Sequence, residues 1–499
     1  MQSRRKFIKL SGMASAAAMV APSVFSSCKK MDMMDASAVS VVEGNFDVAL
    51  PIPEVINATS GTALNAQITT AKIIKDKTST VWGYHNGILG PTLLANKGDV
   101  VTIPLKNDLP EETNIHWHGL MTPANMDGYP NDVVSAASSF TYSFSINQRA
   151  GAYWYHPHPD GKTASQVYKG LAGMFIVNDS EEQSLNLPNG DYEIPLVIQD
   201  KRLYADYSIN YSPNQQEVMS GYMGQYILVN GIYSPYVNVA TRWYRFRVLN
   251  GSNARVYNLA LSDNVPFYVI GADGGLLASP ESATSLMLAP GERADLLIDF
   301  SSYTIGENIY LKSLAFDAEN VQGTQAFNIV KFVINKQEAD PFVLPSSLSN
   351  VELIDPLLST YNRQFILNGM DSMGGGVMGG MSGMGMSGMH TINGKTFDIN
   401  RIDATVSAGS TETWIIDNSE GDEIHPFHVH GLLFQVLERS GGRESLIATE
   451  KTWKDTVLLM PKEKVKIILT FPNNKGLFLL HCHNLEHEDD GMMLNFEIK

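Results

Sequence analysis

Near its C-terminal end the chain reads His481-Cys482-His483-Asn484-Leu485-Glu486-His487-Glu488-Asp489-Asp490-Gly491-Met492-Met493. The apolar run at residues 477–480 predicts the end of a β-strand, in which successive side chains point to opposite faces. Cys482 therefore faces one way, while His481 and His483 face the other. Imidazole, thiolate and thioether are the ligands of a blue-copper site, so the stretch indicates one metal bound by Cys482 and a different metal bound by its two neighbours.

The histidines are strongly clustered along the sequence. Histidines that only fill a core would be scattered along the chain instead. Ten of the twelve fall in four short motifs, and only His85 and His390 lie outside them. The motifs are His116-Trp117-His118, His156-Pro157-His158, His425-Pro426-Phe427-His428-Val429-His430, and His481 with His483 and His487. Histidines grouped with Cys and Met indicate metal sites.

Length and composition set the broad class. The 499 residues are too many for one hydrophobic core and predict about three domains. A net charge of −16 gives no electrostatic basis for binding nucleic acid. The only two cysteines, Cys28 and Cys482, provide no disulfide framework.

Short apolar runs separated by Gly, Pro and Asn predict three strand-rich units at residues 46–180, 190–336 and 350–499. Residues 243–248 alternate as a half-buried strand should. No histidine occurs between Pro159 and Met389, so we expect the middle unit to provide spacing and substrate contacts. A weak internal repeat places an asparagine at the end of one strand in each unit, at Asn107, Asn250 and Asn418.

The N-terminus is typical of an export signal. Arg4 and Arg5 precede an apolar stretch and predict a twin-arginine signal peptide over residues 1–27, with an ordinary secretory signal as the alternative. Small residues before Cys28 resemble a lipoprotein cleavage site, and residues 28–45 then form a flexible tether. The alternative is that Cys28 is discarded with the signal. We expect a periplasmic or cell-envelope protein, with or without a lipid anchor.

Residues 370–389 form a Gly-Met-Ser insert of low complexity in the third unit. Thioethers are soft ligands, so the insert could gather cuprous ions. The alternative is a loop whose methionines have no role.

Ligand chemistry divides the clustered histidines into two sets. A type 1 copper site requires two imidazoles, a thiolate and a weak thioether. Cys482, His487 and Met492 supply three of these ligands, and His425 is the natural fourth. The eight other histidines come equally from the first and third units and suffice for three copper ions. A cluster of three coppers at an interface between these units is therefore predicted.

The four motifs, in this order, resemble those of three-domain multicopper oxidases, closest to bacterial copper-efflux oxidases and bacterial laccases. The resemblance covers nearly the whole mature chain. It implies an all-β fold of three cupredoxin-like Greek-key β-sandwich domains and four bound copper ions. It also implies an enzyme that couples four one-electron oxidations at the type 1 copper to reduction of dioxygen to water at a trinuclear cluster. The implied ligands are His116 and His428 for type 2 copper, His118, His156 and His483 for one type 3 copper, His158, His430 and His481 for the other, and His425, Cys482, His487 and Met492 for type 1 copper.

Two acidic residues match positions from which the family delivers protons to oxygen. They are Asp127, in Met126-Asp127-Gly128, and Glu488, directly after His487. The alternative for each is a hydrogen bond that only orients a ligand.

The resemblance leaves the electron donor open. The Met-rich insert and the twin-arginine signal favour a cuprous oxidase acting in copper tolerance. Glu423, however, stands where a methionine near the type 1 copper would be expected to help bind Cu(I). One alternative is a laccase acting on phenols or aromatic amines, and another is a copper-buffering protein without turnover. The expected partners are dioxygen and either Cu(I) or a phenol, and the expected state is a monomer.

Overall fold

The computed structural model describes residues 39–318, 322–369 and 389–499. The predicted signal peptide, Cys28, most of the tether and the Met-rich insert up to residue 388 lie outside the described residues. All of the described residues belong to one compact unit. No helix among the described residues is long and apolar enough to cross a membrane.

The described chain forms six β-sheets that pair into three sandwiches, which confirms the predicted all-β fold class. The first sandwich has a four-stranded and a five-stranded sheet. In sheet order their strands are Ser79–Tyr84, Leu64–Ala71, Val100–Asn107 and Ser139–Ser145, then Val55–Asn57, Thr92–Asn96, Gly173–Asn178, Gly151–His156 and His116–His118.

The middle sandwich has a seven-stranded and a six-stranded sheet. The first contains Ile232–Tyr233, Tyr226–Val229, Glu193–Lys201, Trp243–Asn250, Arg293–Asp299, Phe267–Ala272 and Gly275–Ala283. The second contains Val48–Ala49, Pro235–Ala240, Phe327–Lys336, Asn308–Ser313, Tyr257–Leu261 and Leu286–Leu288. Strand Val48–Ala49 thus joins the middle sandwich by parallel pairing with Pro235 and Tyr236.

The third sandwich has a six-stranded and a five-stranded sheet. Their strands are Thr391–Ile392, Ser359–Asn368, Thr411–Asp417, Lys464–Thr470, Phe434–Ser440 and Trp453–Lys454, then Ala404–Val406, Met493–Ile498, Gly476–Cys482, His425–Val429 and Thr456–Leu459. Helical segments are short: Ala124–Met126, Thr163–Lys169, Ser180–Ser184, Gly190–Tyr192, Gln215–Ser220, Pro356–Leu358, Ala448–Glu450 and Leu485–Asp489.

Each sandwich encloses its own apolar core between its two sheets. Trp117 and Phe175 lie in the first core, Phe246 and Phe332 in the middle core, and Trp414 in the third. Burying a side chain of this size contributes about 1.5–3 kcal/mol. Cys482 and Met492 belong to the third core, which places the predicted type 1 ligands in an apolar setting.

The predicted asparagine repeat has a shared structural role. Asn107, Asn250 and Asn418 are each fully buried. The Nδ2 of each donates to two backbone carbonyls, one four or five residues ahead and one in a more distant segment of the same sandwich, at 2.8–3.0 Å. The repeat therefore marks one loop-fixing position that recurs in all three sandwiches.

One local prediction differs from the structure. Residues 243–250 form a strand, as expected, but the strand is buried on both faces rather than half-buried. Arg245 and Arg247 lie on its polar side, where Glu182, Glu193 and Asp295 surround them. Buried charges are tolerated when they are paired, so the alternating pattern here reflects an internal ion cluster rather than contact with water.

Candidate metal centre

The thiolate ligand lies at the end of strand Gly476–Cys482. Cys482 is fully buried and is the only cysteine among the described residues. Its Sγ lies 3.4 Å from Nδ1 of His425 and 3.6 Å from Nδ1 of His487, and these two nitrogens are 3.3 Å apart. Three of the four predicted type 1 ligands therefore converge on one point.

Met492 is also fully buried, and its carbonyl accepts a 3.1 Å hydrogen bond from the backbone N–H of Cys482. Burial raises the pKa of the Cys482 thiol and lowers the pKa of His425 to about 3. His425 is therefore neutral at physiological pH, as a metal ligand must be.

The two histidines predicted to bind type 2 copper come from different sandwiches, His116 from the first and His428 from the third, and they face each other where the two sandwiches meet. Nε2 of His116 lies 3.4 Å from Nε2 of His428. Nδ1 of His116 is 2.8 Å from the carbonyl of Asp127, and Nδ1 of His428 is 2.8 Å from the carbonyl of Asp455. A carbonyl only accepts hydrogen bonds, so each Nδ1 carries the proton and each Nε2 is left with a lone pair.

A second group consists of His158, His430 and His481. Nε2 of His481 lies 3.4 Å from Nε2 of His158 and 3.0 Å from Nε2 of His430. Nδ1 of His430 lies 2.7 Å from the Asp127 carboxylate, and Nδ1 of His481 lies 3.0 Å from the carbonyl of Cys482. The three Nε2 atoms therefore point at one another and could share one ion.

The third group, His118, His156 and His483, provides the test of whether a metal fits. Its rings are buried, with centroids 4.9–5.7 Å apart. Nδ1 of His118, Nε2 of His156 and both ring nitrogens of His483 lack a hydrogen-bond partner among the described residues. An unsatisfied buried polar atom costs about 1–3 kcal/mol. A bound ion would satisfy one nitrogen of each of the three rings, so the residues present fit copper.

Strand geometry explains these groupings. Side chains two residues apart on a strand share a face, so strand His116–His118 presents both of its histidines together. That strand pairs with Gly151–His156, which sets His116 opposite His156. In the third sandwich, strand His425–Val429 sets Phe427 opposite Cys482 and His428 opposite His481. The sheet register therefore places the Cys482 thiolate on the opposite face of the strand from the imidazole of His481.

Both predicted carboxylates contact the imidazole cluster. Oδ2 of Asp127 bonds His430, and Oδ1 accepts a 3.0 Å hydrogen bond from the Thr122 hydroxyl. Burial raises the pKa of Asp127 to about 7. Glu488 is fully buried, 3.4 Å from Nε2 of His158 and 3.2 Å from Nδ1 of His481.

Sequence reasoning left out one histidine that the structure brings to the site. His390 is buried and stacks on His487, with ring centroids 3.8 Å apart. Its Nδ1 lies 3.1 Å from Asp490 and its Nε2 lies 3.2 Å from Glu423. Burial lowers the pKa of His390, but the two carboxylates outweigh this and raise it to about 9. Its position directly after the Met-rich insert was the only sequence signal.

The histidine-free middle sandwich also reaches both groups of ligands. The carbonyl of Met219, in helix Gln215–Ser220, lies 2.7 Å from Nε2 of His487. Gly291 has a positive φ of 82° and packs against His118 and His483. A Cβ there would lie 3.1 Å from the ring of His483 and 3.2 Å from that of His118.

We predict that Gly291→Ala weakens copper binding by the group of His118, His156 and His483. Gly306→Ala is the matched control, because Gly306 also has a positive φ but a Cβ there meets no described atom within 4 Å. Both variants should lose about 1–2 kcal/mol of unfolding free energy through backbone strain. Only Gly291→Ala should also bind less copper per chain. Equal copper content in the two variants would contradict the prediction.

Comparisons with known proteins give one consistent result. Family models described as multicopper oxidase match residues 65–182, 220–331 and 376–499. The chain is 36% identical over 433 residues to "Multicopper oxidase mco" of Staphylococcus haemolyticus, covering 86% of each protein. It is 32% identical over 519 residues to the laccase of Bacillus subtilis, covering 91% of this chain and 98% of that one.

A solved structure shares the fold. The multicopper oxidase of Campylobacter jejuni, described as a metallo-oxidase, superposes with a TM-score of 0.77 at 29% sequence identity. The match covers 92% of this chain and 99% of the other. These findings confirm the resemblance drawn from the four histidine motifs.

Proposed function

Because this chain belongs to the multicopper oxidase family and is a copper-binding oxidase, we propose that it oxidises Cu(I) to Cu(II) in copper tolerance, coupled to reduction of dioxygen to water. Bound copper supplies the redox chemistry, by taking single electrons from the donor and reducing dioxygen. The observation that carries the proposal is the convergence of buried donor atoms into separate groups, one of them His425 with Cys482 and His487 and another His158 with His430 and His481.

We assign the ligands by the nitrogen atoms that each residue leaves without a proton. His116 and His428 would hold type 2 copper through Nε2. The two type 3 coppers would be held by His118, His156 and His483, and by His158, His430 and His481. Type 1 copper would be held by His425, Cys482, His487 and Met492. Cys482 is bonded through the backbone to His481 and His483, so one short covalent path links the two sites.

Asp127 and Glu488 would manage the protons that dioxygen reduction consumes. Both carboxylates are buried beside ligand histidines and contact different members of one type 3 group. Asp127 also accepts from the Thr122 hydroxyl, which provides a second hydrogen-bonding group on the side away from His430. Burial raises the pKa of Asp127 to about 7, which suits a general acid. Burial also raises the pKa of Glu488, but His158 and His481 outweigh it and lower that pKa, which suits a carboxylate that accepts protons and passes them on.

The surroundings of the type 1 ligands favour a small cation as donor. His425, His487 and His390 are buried, and the Met219 carbonyl covers Nε2 of His487. The side chain of Glu423 is 15% exposed, and its Oε2 lies 3.9 Å from Nε2 of His425. A metal ion could reach this carboxylate, whereas a phenol ring needs an open face beside a ligand histidine. The Met-rich insert, which ends at Met389 beside Asp490, would collect soft Cu(I) nearby.

We further propose that the protein acts in the periplasm or cell envelope after twin-arginine export, either lipid-anchored through Cys28 or released. Export in the folded state would let the chain acquire copper before it crosses the membrane. Laccase activity on phenols is the second candidate function. It is favoured by the 32% identity to the Bacillus subtilis laccase.

The donor assignment predicts that Glu423→Gln lowers kcat/KM for Cu(I) about tenfold, equivalent to about 1.4 kcal/mol, and by less for a simple phenol. Although His390 pairs with it at 3.2 Å, the Glu423 carboxylate offers an oxygen ligand to a metal ion, while a neutral phenol gains nothing from it. Oxygen uptake with each donor in turn measures the effect. The control is Glu438→Gln. Glu438 belongs to the same sandwich, in strand Phe434–Ser440, but its side chain is 66% exposed.

The same assay applied to a variant without residues 370–388 tests the insert. We expect this deletion to slow Cu(I) oxidation more than phenol oxidation. An unchanged rate of Cu(I) oxidation would show that the methionines of the insert have no role in the reaction. Faster turnover of phenol than of Cu(I) by the intact protein would favour a laccase. Four bound coppers without oxygen uptake from either donor would favour copper buffering.

A further inference from the structure

We propose that Arg293, in the middle sandwich, is a positioning residue for the trinuclear cluster and acts through Asp455 on His118 and His428. The inference rests on the proposed ligand roles of those two histidines. The middle sandwich has no histidine of its own, and neither Arg293 nor Asp455 stands in a histidine motif.

Asp455 fixes the ring protons of two histidines that come from different sandwiches. Its Oδ1 lies 3.0 Å from Nε2 of His118, and its backbone carbonyl lies 2.8 Å from Nδ1 of His428. Both oxygens are acceptors here, so these two ring nitrogens carry protons. Nδ1 of His118 and Nε2 of His428 are therefore the atoms left to bind metal. Each imidazole is held in the tautomer and ring orientation that its proposed copper needs.

Thr456 supports the same arrangement. Its hydroxyl lies 2.9 Å from Oδ1 of Asp455, 3.1 Å from Nε2 of His118 and 3.2 Å from Nδ1 of His428. The Thr456 hydroxyl thus contacts the Asp455 carboxylate and both imidazole rings. A shift of that carboxylate would therefore disturb both histidines together.

Arg293 holds the Asp455 carboxylate from the opposite side. Its Nη1 donates to Oδ1 of Asp455 at 2.9 Å, and its Nη2 donates to Oδ2, which gives a bidentate pair. Bidentate pairing fixes orientation as well as distance. Both side chains are completely buried. Removing one partner of a buried pair leaves an uncompensated charge, so Asp455 depends on Arg293 for its position.

Arg293 itself is fixed by all three sandwiches. Its Nε donates to the carbonyl of Ala152 in the first sandwich at 2.9 Å. Its Nη1 and Nη2 also donate to the carbonyls of Gly291 and Asp273 in the middle sandwich. Beside it, Lys454 of the third sandwich pairs with Asp273 and Glu292, each at 2.9 Å. This one guanidinium therefore joins the ligand-bearing sandwiches to the unit that bears no ligand.

The test is Arg293→Gln, compared with Arg439→Gln. Arg439 is an equally buried arginine of the third sandwich, paired with Glu450 and Glu463, and it has no contact with a histidine in the described structure. The readouts are copper per chain, the blue thiolate-to-copper absorption band and the paramagnetic signal of type 2 copper. We expect Arg293→Gln to keep the blue band but to weaken copper binding at the trinuclear cluster about 10- to 100-fold. Arg439→Gln should keep both signals despite its loss of stability.

The proposal is overturned if Arg293→Gln keeps the type 2 signal, or if it loses the blue band in parallel. If Arg293→Gln does not fold, Arg293→Lys decides, because lysine keeps the buried positive charge beside Asp455 but cannot form the bidentate pair. A weakened type 2 signal with an intact blue band in Arg293→Lys supports the proposal, and full retention of both signals overturns it. These signals are measured without any donor, so a wild-type protein that fails to oxidise Cu(I) would contradict the proposed function and leave this test intact.

Discussion

Cys482→Ser is expected to abolish the blue absorption band and to lower oxygen consumption more than about 100-fold with every donor. Loss of a hydrogen-bond partner of a metal ligand already costs about 10- to 100-fold, and here the ligand itself is removed. A serine hydroxyl is a poor ligand for copper in a site built around a thiolate. No other described cysteine could replace it. Absorption spectra and oxygen uptake with Cu(I) and with a phenol measure the effect.

The loss should be confined to one site. The imidazole clusters lie on the other face of strand Gly476–Cys482, so the type 2 signal should remain in Cys482→Ser. Met492→Leu serves as the control, because it keeps the thiolate, conserves volume in the same core and should stay coloured. Persistence of colour and oxygen consumption without the sulfur would refute the proposed electron path.

Asp127→Asn is expected to slow oxygen uptake about 10- to 100-fold while the copper content stays at four per chain. The variant keeps the shape of the side chain but cannot act as an acid. The amide of the variant side chain could take two orientations. In one its NH2 group faces the Nδ1–H of His430, so that two donors meet; in the other its oxygen faces His430 and no longer accepts from the Thr122 hydroxyl. Oxygen uptake at saturating donor, together with copper analysis, measures the result.

The alternative role for Asp127, holding His430 in place, makes a different prediction. In that case copper would be lost in proportion to activity, and Asp127→Glu would not restore it. Asp108→Asn is the matched control, since Asp108 lies in the same sandwich, is exposed and pairs with Lys106 rather than with a ligand histidine. An unchanged rate in Asp127→Asn would show that the carboxylate carries no proton needed for turnover.

Much of the metal centre could be predicted because its ligands follow local rules. The period of two along a strand already separated Cys482 from His481 and His483. The spacing of His116 and His118, and of His428 and His430, likewise put each pair on one face. The rhythm of apolar runs indicated the sandwiches, and the asparagine repeat at Asn107, Asn250 and Asn418 recurs as one buried hydrogen-bonding position.

Other features could not be predicted because they arise from contacts between distant parts of the chain. Arg293 and Asp455 are 162 residues apart, and nothing in their local patterns distinguishes them from surface charges. His390 lies apart from the four histidine motifs, although it stacks on His487 in the folded protein. The alternation of residues 243–248 predicted contact with water, whereas Arg245 pairs with Glu182 of a short helix and with Asp295 of the neighbouring strand.

The sequence by itself determined the residue types that can bind copper, the faces on which they stand and the all-β class, because these depend on side-chain chemistry and on strand period. The tertiary structure decided which histidines meet, which ring nitrogen each one offers and how the middle sandwich serves a centre to which it gives no ligand. Those outcomes depend on hydrogen bonds and ion pairs formed only when buried surfaces from separate sandwiches come together, where unpaired polar atoms are too costly to leave unsatisfied.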